Sequence, residues 1–200
     1  MPVAMTPEPP IGEPGHLILV KHALPEIDPE RPPTRWHLSS EGMAACVELA
    51  DVIAPYGPDR IVTSRTRKAF ETCRILAENL SIHVRAVDDL EEQHRDGLGW
   101  LSRTVYNDGV RRALECPDEL VFGEESVSDA LARFERAIAG ELARDVAETV
   151  VAVTHGTVMT AFLAPLLGEP PFELWKRLSL PSFAVLRRPD LSVVKVVESI

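Results

Sequence analysis

Leu17-Ile18-Leu19-Val20-Lys21-His22-Ala23 is an apolar run that ends abruptly in a cation and a histidine. Its four consecutive aliphatic residues are typical of a strand buried on both faces, as in a parallel sheet, because a half-exposed strand would alternate apolar and polar residues. In open α/β sheets the ligand site lies beyond the carboxyl ends of the strands. The stretch therefore predicts a buried central strand with Lys21 and His22 at a site for chemistry.

A second stretch repeats this arrangement. Val150-Val151-Ala152-Val153-Thr154 runs directly into His155-Gly156, and an amphipathic helix follows at once. If the two strands are neighbours, His22 and His155 project over the same edge of the sheet and meet in one pocket. The two histidines are therefore candidate site residues.

The remaining chain alternates predicted helices and strands of ordinary length. Ser39 and Ser64 are predicted to cap two helices, and Ser126 begins a third. Further strands are predicted at residues 60–63, 84–87, 183–186 and 193–197, and the last helix ends at Gly168. This alternation predicts an α/β fold, a three-layer α/β/α sandwich around a mostly parallel central sheet. We expect the polar segment 88–100 to lie outside the core.

Length and composition predict one soluble globular domain. A chain of 200 residues, 45% of them hydrophobic and 26% charged, can bury a single core, which we place at residues 16–200. Residues 1–15 hold five prolines and lack the basic and apolar regions of a signal peptide, and we expect a flexible leader there. No apolar run approaches the length of a membrane span, so no membrane partner is expected.

Net charge and cysteine content indicate which partners the protein is expected to bind and in which compartment. The formal net charge of −10 argues against nonspecific nucleic-acid binding, which depends on clustered basic residues. The three cysteines, Cys46, Cys73 and Cys116, are odd in number and lack metal-ligand spacing, which favours free thiols in a reducing cytoplasm. The six histidines show no compact metal-binding motif, so no metal site is assigned.

Three cations stand at a predicted helix start, where the helix dipole disfavours positive charge. Arg65, Arg67 and Lys68 follow Ser64 closely. An anion shared between them would relieve this conflict, and a phosphate bound at the helix N-terminus is one such anion. The cluster therefore points to a phosphorylated ligand.

Together these motifs resemble the histidine phosphatases, also called the phosphoglycerate mutase-like superfamily. The Arg-His-Gly motif of that family is matched by Lys21-His22-Ala23, and its late His-Gly by His155-Gly156. Matches to the other family motifs lie between them in the same order: Leu38-Ser39-Ser40-Glu41-Gly42; Ser64, Lys68, Ala69 and Thr72; Leu90-Glu91-Glu92; and Gly123-Glu124-Glu125-Ser126. The resemblance covers residues 16–186, and the shared order argues against a chance match.

The resemblance implies a covalent mechanism in which His22 is the nucleophile that becomes phosphohistidine. A neutral imidazole nitrogen can attack phosphorus, and a phosphoenzyme divides one difficult displacement into two. The phosphoryl oxygens need fixed cations and donors, because phosphoryl transfer depends mostly on positioning and electrostatics. Lys21, Lys68 and His155 would form this phosphate cradle, and His155 counts among the catalytic residues as well.

The acid loop would supply the third catalytic group. Glu92 would protonate the leaving alkoxide and then activate water, with Glu91 and Glu125 as alternative acids. A negative phosphate beside this carboxyl would raise its pKa and favour the protonated form. The resemblance implies no cofactor.

The chain departs from the family in its cations. Lys21 and Lys68 stand where the family has arginines, which replaces planar bidentate phosphate binders with compact point charges. We expect weakened or retuned activity, with Arg65 or Arg67 reaching in to bind phosphate in compensation. Ala23 stands where the family has glycine and is expected to restrict the turn after the nucleophile slightly.

The leading functional hypothesis is a metal-independent phosphomonoester hydrolase acting on a phosphorylated small molecule. A phosphoglycerate mutase-type phosphotransferase is the alternative enzyme, disfavoured because the segments that would cover the site are short. A degenerate member that only binds phosphorylated ligands is a further alternative, because both arginines are replaced. Specificity residues are expected at His94, Arg95, Trp100 and the loop with Trp36 and His37. A homodimer is left open.

Overall fold

A computed structural model of the chain describes residues 14–200, so nearly all of the predicted leader lies outside the described part. The strands are β1 (His16–Lys21), β2 (Arg60–Thr63), β3 (Val84–Ala86), β4 (Val150–Thr154), β5 (Ser182–Arg187) and β6 (Val193–Val197). The helices are α1 (Ser40–Ile53), α2 (Arg67–Leu80), α3 (Arg103–Glu115), α4 (Val127–Leu142), α5 (Gly156–Leu167) and α6 (Pro171–Arg177). The predicted strands and the predicted end of α5 at Gly168 agree with these bounds to within about a residue.

The six strands form one sheet in the order β3-β2-β4-β1-β5-β6. From β3 to β1 every neighbouring pair is parallel, whereas β5 is antiparallel to both β1 and β6. β1 and β4 lie side by side at the centre, with Lys21 opposite Thr154. The two strands that end in histidine are therefore neighbours.

Both faces of the sheet are covered, which gives the three layers that the sequence predicts. Leu17 and Leu19 face one side, where they pack with α4, α5 and α6. Ile18 and Val20 face the other side, where they pack with α1 and α2. All four side chains are fully buried, which explains why the apolar run of β1 has no polar interruption. The predicted α/β class is confirmed.

Two of the three predicted helix caps are present. Ser39 and Ser126 each accept a hydrogen bond from the backbone N–H three residues further on, which satisfies a donor that the first helical turn leaves free. The prediction for Ser64 is wrong, because Thr66 occupies the position before α2 and makes no side-chain cap bond. The Ser64 hydroxyl bonds to the ring of His155 and accepts the N–H of Thr66, two residues further on and just before the helix.

The segment 88–100 is not wholly outside the core, contrary to the prediction. Leu90 is fully buried in the cluster under α4 and α5, and Gln93 and Arg95 are buried as well. Gln93 Nε2 donates to two backbone carbonyl oxygens and Arg95 Nη2 to Thr157, which helps these side chains to leave solvent, although Gln93 Oε1 and Arg95 Nη1 have no partner among residues 14–200. The composition of the segment does not reveal those partners.

Two helices, α3 and α6, were not predicted from the sequence. The buried stripe of α3 is short and consists of Val110, Ala113 and Leu114. α6 has seven residues, too few to show a helical period. Both helices border the cavity described below.

None of the helices within residues 14–200 is long and apolar enough to cross a membrane. Cys46, Cys73 and Cys116 are free thiols, the first two buried and the third exposed. Burial raises the pKa of Cys46 to about 11 and that of Cys73 to about 12.

Candidate active site

The carboxyl ends of β1 and β4 open into a cavity of about 1170 Å³ that contains both histidines. Because the strands are adjacent and parallel, His22 and His155 follow them at the same edge of the sheet. Their ring centroids lie 5.1 Å apart, with the ring planes at 62°. The two side chains share one pocket, as the strand pattern predicts.

The backbone holds the His22 ring in one orientation. Nδ1 lies 2.8 Å from the carbonyl oxygen of Ala23, so we assign the hydrogen to Nδ1, which leaves a lone pair on Nε2. Burial is the main cause that holds the His22 pKa well below its usual value, and the positive charge of Lys68 lowers the pKa further. His22 is therefore neutral near pH 7, which is the nucleophilic form of the ring.

The His155 ring is oriented by two hydroxyl groups. Ser64 Oγ and Thr66 Oγ1 lie 2.8 Å and 3.1 Å from its Nε2. If a hydroxyl donates to Nε2, the hydrogen is on Nδ1, which is buried and has no partner among residues 14–200. Burial and the charge of Lys68 hold the His155 pKa well below its usual value. A neutral ring with a free Nδ1–H can donate to an anion in the cavity.

Thr72, the last residue of the motif formed with Ser64, Lys68 and Ala69, holds the turn after His22. Its Oγ1 accepts the Ala23 N–H at 3.0 Å and donates to the carbonyl oxygen of Lys68 at 2.8 Å. These bonds tie the turn after His22 to the helix that carries Lys68. Ala23 is fully buried and its φ is not positive, so alanine fits this turn without the expected restriction.

Lys21 reaches the cavity from the end of β1. Its Nζ donates to the carbonyl oxygen of Leu178 at 2.6 Å and lies 5.8 Å from the centre of the Trp175 ring. The residue is 8% exposed, and burial lowers the Lys21 pKa to about 8. A charge with so little water around it attracts an anion more strongly than a solvated one.

Lys68 has matching surroundings. Its Nζ donates to the carbonyl oxygen of Pro33 at 3.2 Å and lies 5.5 Å from the centre of the Trp36 ring. Burial lowers the Lys68 pKa to about 8 as well. Each predicted phosphate-binding lysine is thus held by one backbone carbonyl and one tryptophan face.

Arg65 and Arg67 do not line the cavity, contrary to the prediction that one of them binds phosphate. Arg65 pairs with Asp88 and Arg67 with Glu71, at positions where the two arginine side chains are 60% and 55% exposed. Of the three cations at the start of α2, only Lys68 faces the cavity. Nearby carboxylates, rather than a shared anion, offset the charge of the two arginines.

Glu92 lies at the N-terminus of α5, where its carboxylate accepts the N–H groups of Thr157 at 3.0 Å and Val158 at 3.3 Å. Burial acts to raise the Glu92 pKa. Arg95, 3.3 Å from Oε2, and the backbone donors outweigh burial and hold that pKa below its usual value. Glu92 is therefore ionised in the free protein, and the expected protonated form requires the negative charge of a bound phosphate.

The two alternative acids are less well placed. Glu91 lines the cavity, but its carboxylate accepts the backbone N–H of Arg65 at 2.9 Å. Glu125 is paired with Arg133 and does not line the cavity. Of the three candidate acids, Glu92 alone lies against the helix that follows His155.

Arg133 holds the loop that carries Glu92, a role that was not predicted from the sequence. From α4 its guanidinium donates to the carbonyl oxygens of Asp89, Glu91 and Glu92 at 3.1, 2.9 and 2.7 Å. The side chain is buried and also pairs with Glu125. An arginine beside the apolar stripe of α4 is a weak sequence signal, because helical arginines are usually solvated.

Gly156 allows Lys21 to approach α5. A Cβ at position 156 would lie 3.1 Å from Lys21 Cε and 3.2 Å from Trp175 Nε1, closer than most real contacts of this kind. The second half of the His-Gly motif therefore makes room for Lys21, the predicted phosphate-binding lysine.

The predicted specificity residues divide into two groups. Trp36, His94, Arg95 and Trp100 line the cavity, whereas His37 pairs with Glu71 outside it. Arg95 is also bound to the acid and its helix, since Nη2 donates to Thr157 Oγ1 at 2.6 Å. Its guanidinium lies 5.4 Å from the ring centres of both Tyr106 and Phe122.

The sequence matches the model of a known protein family. A sequence profile described as the histidine phosphatase superfamily (branch 1) matches residues 17–190. The chain belongs to this superfamily. The resemblance inferred from the motifs is thus confirmed, and the matched region includes both histidines, both lysines and the acid loop. A search of curated proteins found no match.

Solved structures with the same fold include several hydrolases. A structure described as mycobacterial hydrolase 1 is 23% identical with a TM-score of 0.75, and the match covers 93% of this chain and 99% of that one. A mycobacterial glucosyl-3-phosphoglycerate phosphatase in complex with inorganic phosphate is 25% identical, with a TM-score of 0.70 and coverage of 91% and 95%. An Entamoeba histolytica phosphoserine phosphatase in complex with 3-phosphoglyceric acid is 16% identical, with a TM-score of 0.73 and coverage of 92% and 98%.

Proposed function

We propose that the protein hydrolyses phosphomonoesters of small molecules through a phosphohistidine at His22. The pair of buried histidines is the observation that carries this proposal. His22 has a free Nε2 lone pair, and His155, with its ring centroid 5.1 Å away, has an Nδ1 without a protein partner among the described residues. One ring can attack a phosphoryl group while the other donates to it. Superfamily membership and the phosphatases among the structural neighbours support the same reaction class.

In the first half-reaction, Nε2 of His22 attacks phosphorus and the bond from phosphorus to the ester oxygen breaks. Lys21, Lys68 and the Nδ1–H of His155 bind the phosphoryl oxygens, whose charge is spread over three positions in the transition state. Protonated Glu92 gives its proton to the leaving oxygen, so the product alcohol departs neutral.

In the second half-reaction, water replaces the alcohol in the cavity. The Glu92 carboxylate accepts a proton from that water as its oxygen attacks phosphorus, and the bond from phosphorus to Nε2 of His22 breaks. Inorganic phosphate leaves with the histidine restored. Glu92 alternates between acid and base, which suits a carboxyl whose pKa depends on the charge of the bound phosphate.

We propose further that the reaction is independent of metal ions, because the two lysines and His155 supply the charge and donors that a metal would otherwise provide. Turnover in the presence of a chelator should equal turnover without it. A loss of activity that added divalent metal restores would contradict this part of the proposal. The free cysteines support a reducing compartment such as the cytoplasm.

Release of inorganic phosphate from p-nitrophenyl phosphate tests the proposed function. We expect turnover by the unmodified protein and none above background by His22→Ala. His83→Ala, which removes an exposed histidine outside the cavity, is the matched control and should retain full activity. Equal activity of His22→Ala and His83→Ala would reject the proposal, and absence of turnover in all three proteins would favour a phosphate-binding member without catalysis.

A further inference from the structure

The outer part of the cavity is apolar, although its floor is charged. Four large apolar side chains at this mouth are exposed: Leu24 by 41%, Ile27 by 62%, Leu98 by 37% and Trp100 by 56%. Isolated exposed apolar residues are common, but a cluster that rims a cavity indicates a binding surface. We call these four residues the apolar rim.

The apolar rim comes from two loops that face each other across the cavity. One loop follows β1 and carries Leu24 and Ile27, and the other precedes α3 and carries Leu98 and Trp100. A hydrogen bond of 2.7 Å from Thr34 Oγ1 to Asp96 Oδ2 joins the loops. The two parts of the rim therefore line one cavity and belong to loops that are joined directly.

Many polar groups near the rim already have partners within the protein. Trp36 Nε1 donates to the carbonyl oxygens of Asp28 and Arg31 at 2.8 and 3.0 Å. Glu124 accepts the backbone N–H of Gly97 at 2.6 Å. A carboxylate or hydroxyl arriving with a small polar substrate would compete with these bonds, whereas an apolar group would not.

Lys176 and Arg95, two cations that line the cavity, also bind groups within the protein. Lys176 pairs with Glu173 at 2.8 Å, and Arg95 is bound to Glu92 and Thr157. These two cations at the edge of the cavity are thus already engaged by the protein, although Arg95 Nη1 has no partner among residues 14–200 and Arg103 also lines the cavity. Lys21 and Lys68 place positive charge beside the histidines at the floor, where the phosphoryl group belongs.

We infer that the substrate is a phosphomonoester with a large apolar leaving group, either an alkyl chain or an aromatic ring system, that lies along the apolar rim. This inference rests on the proposed function, since the phosphoryl group occupies the floor of the same cavity. A volume of about 1170 Å³ accommodates such a group beside the phosphate. Each methylene group that leaves water on binding strengthens the affinity about fourfold.

A series of alkylphosphonates tests the inference without any turnover. We would measure the dissociation constants of ethyl-, butyl-, hexyl- and octylphosphonate by calorimetry, below their aggregation concentrations, and include 3-phosphonopropionate as a ligand with a polar end. Octylphosphonate should bind at least about tenfold more tightly than ethylphosphonate. Affinities that do not change with chain length, or a carboxylate ligand that binds most tightly, would overturn the inference.

Variants of the apolar rim test whether these residues cause the dependence of affinity on chain length. Ile27→Asn and Trp100→Ser should each remove most of the difference between octyl- and ethylphosphonate. Val194→Asn, which alters an exposed apolar residue on β6 outside the cavity, should keep that difference. A chain-length effect that survives both rim substitutions would also overturn the inference.

The two failures are distinguishable. If the proposed function fails, no phosphomonoester releases phosphate, yet octylphosphonate still binds better than ethylphosphonate. If the inference fails, phosphate is released from p-nitrophenyl phosphate, while the phosphonate affinities show no preference for apolar chains.

Discussion

Lys21 and Lys68 hold their ammonium groups against a backbone carbonyl and a tryptophan face rather than against a carboxylate. Such partners orient a cation without neutralising it, so the charge stays available for a phosphate. Burial lowers both lysine pKa values to about 8, whereas an arginine at either position would stay charged across the working pH range. The two lysines are therefore expected to make the proposed phosphate cradle sensitive to pH.

The first prediction concerns this pH dependence. As the pH rises through about 8, the two lysines lose their protons and their attraction for the phosphoryl oxygens, so kcat/KM should fall on the alkaline side. The double variant Lys21→Arg/Lys68→Arg should move the fall to higher pH, because guanidinium groups keep their charge. A pH profile of kcat/KM for both proteins checks this, and an identical alkaline limb in the two would contradict the assignment.

The second prediction is that Lys21→Met costs much more activity than Lys21→Arg. Methionine roughly keeps the apolar length but removes the charge, and loss of one charged contact to a phosphoryl oxygen is worth about 3 kcal/mol, or about a hundredfold in kcat/KM. Arginine should preserve most of the activity. Lys195→Met, at an exposed position of β6, is the control and should behave like the parent. An active Lys21→Met would remove Lys21 from the cradle.

The third prediction distinguishes the acid from a merely structural carboxylate. Glu92→Gln should slow the hydrolysis of alkyl phosphates much more than that of p-nitrophenyl phosphate, because a good leaving group needs little protonation in the transition state. The measurement is kcat on both substrates. Equal losses on the two would indicate that Glu92 only holds the start of α5.

At the scale of elements, the acid loop depends on a helix far away in the sequence. Arg133 of α4 binds three carbonyl oxygens of the loop that carries Glu92. We predict that Arg133→Met lowers the free energy of unfolding by about 3 kcal/mol, because it leaves buried carbonyls and Glu125 without their partner. It should also lower kcat by about tenfold or more through misplacement of the acid.

Chemical denaturation and kcat measurements check this prediction together. Arg136→Met removes an exposed arginine from the same helix and should leave both quantities unchanged. A fully active, fully stable Arg133→Met would show that the loop needs no such support.

A helix or strand is predicted best when the residues that determine it are neighbours in the sequence. The apolar runs of β1 and β4 need no information from elsewhere, and the caps at Ser39 and Ser126 depend on the next three residues. Ser64 has the same local signal, but it bonds to His155, 91 residues later in the chain. The pairing of Arg65 with Asp88 is of the same kind. These assignments depended on contacts that residue spacing does not contain.

At the scale of the whole molecule, the sheet explains why the proposed catalytic groups lie close together. Two adjacent parallel strands deliver His22 and His155 to one edge, and α2 and α5 begin at that edge with Lys68 and Gly156. The two apolar runs that end in histidine predict this convergence, and the motif order predicts the family. The lining of the cavity by α6 was not predictable, because seven residues are too few to show a helical period, whereas α3 was missed although Tyr106, Val110 and Leu114 recur at helical spacing.

The central claim is that His22 carries the phosphoryl group during turnover, and a rapid-quench experiment tests it most directly. The protein is mixed with a phosphomonoester, quenched in alkali within one turnover, digested and analysed by mass spectrometry. We predict a phosphorylated His22 that is stable in alkali and lost in acid, present also in His83→Ala and absent from His22→Ala. Phosphate release without any phosphoryl group on His22, or with the group on another residue, would contradict the account.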